Sequence, residues 1–230
     1  MDRRQALRNI GWGSGALVAT PTILSLLQSC NQNPGFSPVF LSQGQGHALK
    51  MMVDLMLPSD PEVPGAVAMG VHKFMDLYWN DVLVSAEDLP ALEDEFTKVP
   101  AGGQQKSVRN GFTALETVFQ SQFGEELASG ESEEFRTLLS QYLKAPKETQ
   151  EAYSSEMWAY QMALKEDPNA TASSEAMTYG LLTGIRGLAI WAWKRMEFIG
   201  EDVLWYDPVP GVYDGCIPIS EAGNGKVMSL

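Results

Sequence analysis

The sequence predicts an all-α protein, a single irregular helical bundle closed by a Pro/Gly/aromatic-rich C-terminal strap. Apolar residues recur at three- and four-residue steps in one segment after another, the period of a helix with one buried face. No period-2 run of convincing length occurs, so strands have no support. The stretch from Trp205 to Pro218 holds three prolines and two glycines in fourteen residues. Proline lacks a backbone donor and fixes φ, and glycine costs backbone entropy, so this stretch propagates neither a helix nor a central strand. Its aromatic side chains need a surface to lie on, either grooves of the chain's own helices or a partner.

Length allows one well-buried core in 230 residues. The chain divides into an export signal at 1–29, a tether at 30–41 and a helical domain at 42–230. The leader has a basic start, an apolar run from Ile10 to Leu27, and Ser29 before Cys30. That run is too short and too glycine-interrupted for a membrane span. Arg3-Arg4, with Leu7 and Arg8 behind them, resembles a twin-arginine signal, which exports folded proteins alone or with a partner. Leu27-Gln28-Ser29-Cys30 resembles a bacterial lipobox, which makes Cys30 the lipidated first residue of the mature protein on the periplasmic side of a membrane. An even cysteine count also admits a Cys30–Cys216 disulfide. Lipidation explains the surroundings of Cys30 better and leaves Cys216 as an unpaired thiol. Gly11-Trp12-Gly13-Ser14-Gly15 superficially suggests a nucleotide-binding loop, but it lies in the leader with no strand before it.

Gln45 to Leu57 brings Ala48, Leu49, Met52, Val53 and Met56 to one helical face and stops at Pro58. Ser59 to Gly65, with Pro61 and Pro64, is a rigid turning loop. Ala66 to Val84 resumes helical spacing through Val67, Val71, Phe74, Met75 and Tyr78, with Gly70 expected to admit a close helix neighbour. Ser85-Ala86-Glu87-Asp88 reads as a capped start ahead of Leu89, Leu92 and Phe96, and Ala101-Gly102-Gly103 breaks the pattern. A helix from Gln104 to Phe123 is expected to end on Gly124. Ser132 to Lys144 carries Phe135, Leu138, Leu139 and Tyr142 in register. Lys147 to Glu166 is more polar, with Tyr153, Met157, Trp158 and Met162 as its apolar side. The last and most apolar helix runs from Ser174 to Phe198. Arg186 interrupts it, which marks a buried core helix rather than a membrane span, and Gly180, Gly184 and Gly187 offer close backbone approach.

Composition excludes several functions. The formal charge of −13 falls to −15 once residues 1–29, with Asp2, Arg3, Arg4 and Arg8, are removed, which repels nucleic acid and anionic membranes. His47 and His72 are the only histidines, and neither has a second metal ligand at helical spacing. No Gly-x-Ser-x-Gly elbow or Cys-x-x-Cys-His appears. The runs Glu93-Asp94-Glu95 and Glu131-Ser132-Glu133-Glu134 read as solvated helix faces. No catalytic, cofactor-binding or metal site assembles, so the chain reads as an anchor, escort or interaction subunit.

Three stretches together resemble the gluconate 2-dehydrogenase subunit 3 family. They are the twin-arginine leader; Met56-Leu57-Pro58-Ser59-Asp60 with Pro64-Gly65-Ala66, Gly70-Val71 and Phe74-Met75-Asp76; and Tyr206-Asp207-Pro208-Val209-Pro210-Gly211 with Tyr213 and Gly215-Cys216-Ile217-Pro218. The resemblance implies a non-catalytic small subunit exported with a large FAD-binding flavoprotein of the glucose-methanol-choline type. That partner would oxidise a sugar, sugar acid or polyol and pass electrons to a cytochrome c subunit or another acceptor. The expected partner face comprises Trp191, Trp193, Trp205, Tyr206 and Tyr213, with Pro208, Pro210 and Gly211 setting the strap's path. The rival reading is a stand-alone lipoprotein that binds a small ligand within its helices.

Overall fold

The computed structural model describes residues 36–83, 103–165, 167, 169–205, 216, 218 and 220–228. The expectations for Arg3, Arg4, Cys30, the segment from Ser85 to Phe96, and Tyr206, Pro208, Pro210, Gly211 and Tyr213 lie outside these residues. The all-α expectation holds: helices dominate, and among the described residues strand pairing is limited to an isolated bridge between Trp205 and Met228.

Helix α1 (Gln43–Met56) starts two residues before the expected Gln45 because Ser42 caps it reciprocally. Ser42 Oγ accepts from the Gln45 N–H at 3.2 Å, and Gln45 Oε1 accepts from the Ser42 N–H at 3.2 Å. Its expected face is buried at Ala48, Leu49, Met52 and Val53. Helix α2 (Val71–Asp81) is shorter than the 66–84 helix that periodicity predicts. Gly70 takes φ 78°, a left-handed conformation that a continuing helix excludes, and the Val71 N–H reaches back to Ala66 O at 2.9 Å to close a turn. A Cβ on Gly70 would meet nothing within 4 Å, so this glycine serves the turn and not close packing.

Helix α3 (Gly103–Phe123) ends, as expected, on Gly124 at φ 77°. Helix α4 (Ser132–Leu143) buries Phe135, Leu138, Leu139 and Tyr142 as predicted. Helix α5 (Lys147–Ala163) corrects the periodicity. Tyr153 and Met157 turn inward, but Trp158 is 69% exposed and Met162 is also on the surface, while Tyr160 and Leu164 are buried. The buried tyrosine is accommodated because its hydroxyl accepts from Asn110 Nδ2 on α3 at 2.9 Å.

Helix α6 (Ser174–Lys194) is the core of the bundle and packs against each of α1 to α5. Ser173 caps it through the Ala176 N–H and is itself held by Glu156 of α5, whose carboxylate accepts from the Ser173 N–H at 2.6 Å and hydroxyl at 3.0 Å. The predicted continuation to Phe198 is interrupted at Lys194, and a π-helical turn at Phe198–Val203 follows and buries Ile199 and Gly200. Of the three glycines expected to allow close approach, only Gly180 does. A Cβ there would lie 2.7 Å from the Met157 methyl, whereas at Gly184 and Gly187 it would meet nothing within 4 Å. No helix among the described residues is long and apolar enough to cross a membrane.

Candidate partner-binding face

Two helices supply an aromatic platform. On α2, Phe74 and Tyr78 stand one turn apart with ring centroids 5.9 Å from each other, the i, i+4 geometry that brings side chains together on a helix surface. On α6, Trp191 stacks on Phe74 at 6.1 Å with 30° between the planes and lies 6.5 Å from Tyr78. The Arg195 guanidinium covers the Trp191 ring at 4.4 Å. Trp191 nevertheless stays 41% exposed, and Leu77, Ile190 and Phe198 are exposed to a similar degree. A rigid indole held by two aromatic rings and a cation is costly to leave in water and binds with little further loss of side-chain entropy.

The other predicted tryptophans do different work. Trp193 is two residues on, pointing to another side of α6, and its Nε1–H donates to Pro64 O at 3.0 Å. Trp205 N–H donates to Val227 O at 2.8 Å, and a Cβ on Gly223 would come within 2.3 Å of its ring, so the C-terminal tail lies across it. The tertiary structure therefore joins Trp191 to Phe74, Tyr78 and Arg195 and ties Trp193 and Trp205 to loops. Sequence reasoning placed Phe74 and Tyr78 on a helix face without counting them in the site; their four-residue spacing was the available signal.

The loop that anchors Trp193 is built from its own polar side chains. Asp60 Oδ1 accepts from the Glu62 and Val63 N–H groups at 2.8 and 2.7 Å, and Ser59 Oγ accepts from the Gly65 N–H at 2.8 Å. A Cβ on Gly65 would lie 2.4 Å from Ser59 N, so only glycine fits. Asp76, on α2 behind the aromatic platform, is 1% exposed. Its carboxylate accepts from the N–H groups of Val39 at 2.6 Å, Phe40 at 3.2 Å and Leu41 at 3.0 Å, latching the segment ahead of α1 onto α2.

Among the described residues, burial displaces two titratable groups from their ordinary values. Burial, with Lys50 and Lys73 adding to it, holds His72 down to about 4, against a weaker upward pull from Asp54. Burial, then Tyr153 and Glu175, pushes Tyr142 up to about 12. His47 Nε2 sits 2.9 Å from Gly130 O. Among the described residues, no group of three or more His, Cys, Asp or Glu side chains is placed to hold a metal ion.

The sequence profile of gluconate 2-dehydrogenase subunit 3 matches residues 43–211. The chain belongs to the gluconate 2-dehydrogenase subunit 3 family. No curated protein and no solved structure gives a match. The matched stretch of this subunit 3 chain begins at the first residue of α1 and takes in the Asp60 loop, Asp76, the aromatic platform and Trp205, while the Val39–Leu41 segment that Asp76 holds lies just ahead of it. Family membership makes the chain a subunit of a multi-subunit dehydrogenase assembly.

Proposed function

We propose that this subunit 3 chain is a non-catalytic escort and membrane anchor for a periplasmic FAD-dependent dehydrogenase of sugars, sugar acids or polyols. It is exported by the twin-arginine route through Arg3 and Arg4 and tethered through lipid on Cys30. The observation that carries the reading is Trp191, packed between Phe74, Tyr78 and Arg195 yet 41% exposed, in a chain that belongs to a family of subunits. Such an aromatic anchor suits the centre of a protein interface, where a buried ring contributes most. FAD belongs to the large subunit in this reading, and a cytochrome c subunit is a further electron-transfer partner. The chain contributes binding surface and location.

The test is gentle purification from membranes through a C-terminal tag, followed by a visible spectrum and identification of co-purifying chains. A flavin spectrum with a stoichiometric large chain is the expected result, and Cys30→Ser should move the complex from the membrane to the soluble periplasmic fraction. A colourless, solitary protein from cells that express the flavoprotein would overturn the reading.

A further inference from the structure

Cations gather around the aromatic platform of an otherwise acidic chain. The formal charge is −13, yet α6 carries Arg186, Lys194 and Arg195 and has no carboxylate between Glu175 and Glu197. Residues four apart stand one above the other on a helix, so Arg186, Ile190 and Lys194 form one row and Gly187, Trp191 and Arg195 the row beside it. Ile190 and Trp191 are each 41% exposed, and both arginines are on the surface. On α2, Lys73 is exposed next to Phe74 and one turn before the exposed Leu77. The exposed apolar side chains of both helices are thus flanked by positive charge.

None of Lys73, Arg186, Lys194 and Arg195 forms an ion pair among the described residues, whose ion pairs join Arg136 to Glu133 on α4 and Lys147 to Glu151 on α5. Of the carboxylates near them in the chain, Asp76 is buried under three N–H groups, and Asp81 and Glu197 stand at the ends of α2 and α6 without an ion pair among the described residues. Arg195 is already held in place, its guanidinium over the Trp191 ring and its Nη1 donating to Trp191 O at 3.4 Å. A guanidinium fixed this way keeps further N–H donors in the forked geometry that matches a carboxylate. Covering the exposed rings takes the flanking cations partly out of water, which costs free energy unless opposite charge meets them. The acidic remainder of the chain repels an extended polyanion such as an anionic bilayer, whereas a protein face can confine its carboxylates to the matching patch. We propose that the large dehydrogenase subunit covers this platform with a surface rich in Asp and Glu, whose carboxylates meet Lys73, Arg186, Lys194 and Arg195 around Trp191. The inference rests on the subunit reading and adds to it the chemistry of the partner's side.

Carbodiimide treatment of the complex purified from membranes tests this, because the reagent joins an amine directly to a carboxylate in contact with it. Peptide mass spectrometry should find Lys73 or Lys194 joined to Asp or Glu of the large chain. The full chain carrying Arg186→Glu and Lys194→Glu should retain about tenfold less flavoprotein at low salt, and Lys165→Glu, on the turn after α5, should retain all of it, circular dichroism confirming that each variant is folded. Salt washes should release flavoprotein from the unaltered chain progressively. A complex whose links from Lys73 and Lys194 reach only carboxylates of this chain, or one that the double reversal leaves intact, would overturn the inference and leave the subunit reading standing. Vesicles of phosphatidylglycerol that bind the Cys30→Ser chain, and lose it on a double reversal that spares the complex, would assign the patch to a membrane instead. Failure to recover any complex from cells that express both chains would overturn the subunit reading and this inference with it.

Discussion

Asp76 shows how one buried side chain can organise the segment that leads into a helix. Phe40 and Leu41 are buried, so their N–H groups cannot turn to water if the carboxylate is lost. Asp76→Ala is expected to cost about 3 kcal/mol, two buried donors left unmade, and urea denaturation would measure it. His72 carries the opposite chemistry, a base kept neutral by burial. Its pKa is about 4 in the fold against 6.5 for an unhindered histidine. Between those values the unfolded chain binds a proton that the folded chain refuses, so stability rises with pH through this window. The contribution is complete above 6.5 and is lost as pH falls toward 4, by up to about 3 kcal/mol. His72→Met should flatten the change in urea midpoint between pH 7 and pH 4; an unchanged slope would assign the acid sensitivity to other groups.

Glycines separate the helices of this bundle from the loops between them. At Gly65 a Cβ would strike Ser59 N and Leu57 O at 2.4 and 2.6 Å, all backbone, so the loop must open to admit it. Gly65→Ala should destabilise by more than about 2 kcal/mol. Gly187 sits within α6 with open space where a methyl group would stand, and Gly187→Ala should stabilise by about 0.5–1 kcal/mol through helix propensity alone. Thermal melts of the two variants should therefore move in opposite directions. The helix ends follow the same division: Ser42 and Ser173 supply side-chain caps, Gly124 the left-handed exit, and Gly70 the left-handed entry that shortens α2.

At the scale of the molecule, α6 connects the core to the aromatic platform. One side buries Leu181, Leu182, Ile185 and Ala189 against the other helices, and the last turns bring Trp191 to the surface and Trp193 to the Pro64 loop. The two tryptophans should therefore fail differently. Trp191→Ala is expected to cost only about 1 kcal/mol of stability and to lose co-purification of the large subunit. Trp193→Ala should cost about 2–3 kcal/mol and affect the partner only in proportion to unfolding. Denaturation curves measured alongside pull-downs separate the two outcomes; retained partner binding in stable Trp191→Ala would remove that residue from the interface.

Helical periodicity by itself determined the all-α class, the buried faces of α1 and α4 and the Gly124 exit, because these depend on neighbours three or four residues apart. Local motifs likewise pointed to the family: the Pro58–Asp60 turn, Gly65, Asp76 and the strap from Tyr206 to Gly211 lie inside the matched 43–211 stretch, and the twin-arginine leader, Tyr213 and Gly215–Pro218 lie outside it. Only the tertiary structure decided that Trp158 faces solvent while Tyr160 goes inward, since that choice rests on the contact of the Tyr160 hydroxyl with Asn110, fifty residues away. It alone gave Gly70 to a turn instead of a helix and joined Phe74 and Tyr78 to Trp191 across more than a hundred residues. Spacing within a helix is written in adjacent residues; which exposed ring meets which depends on how distant helices pack.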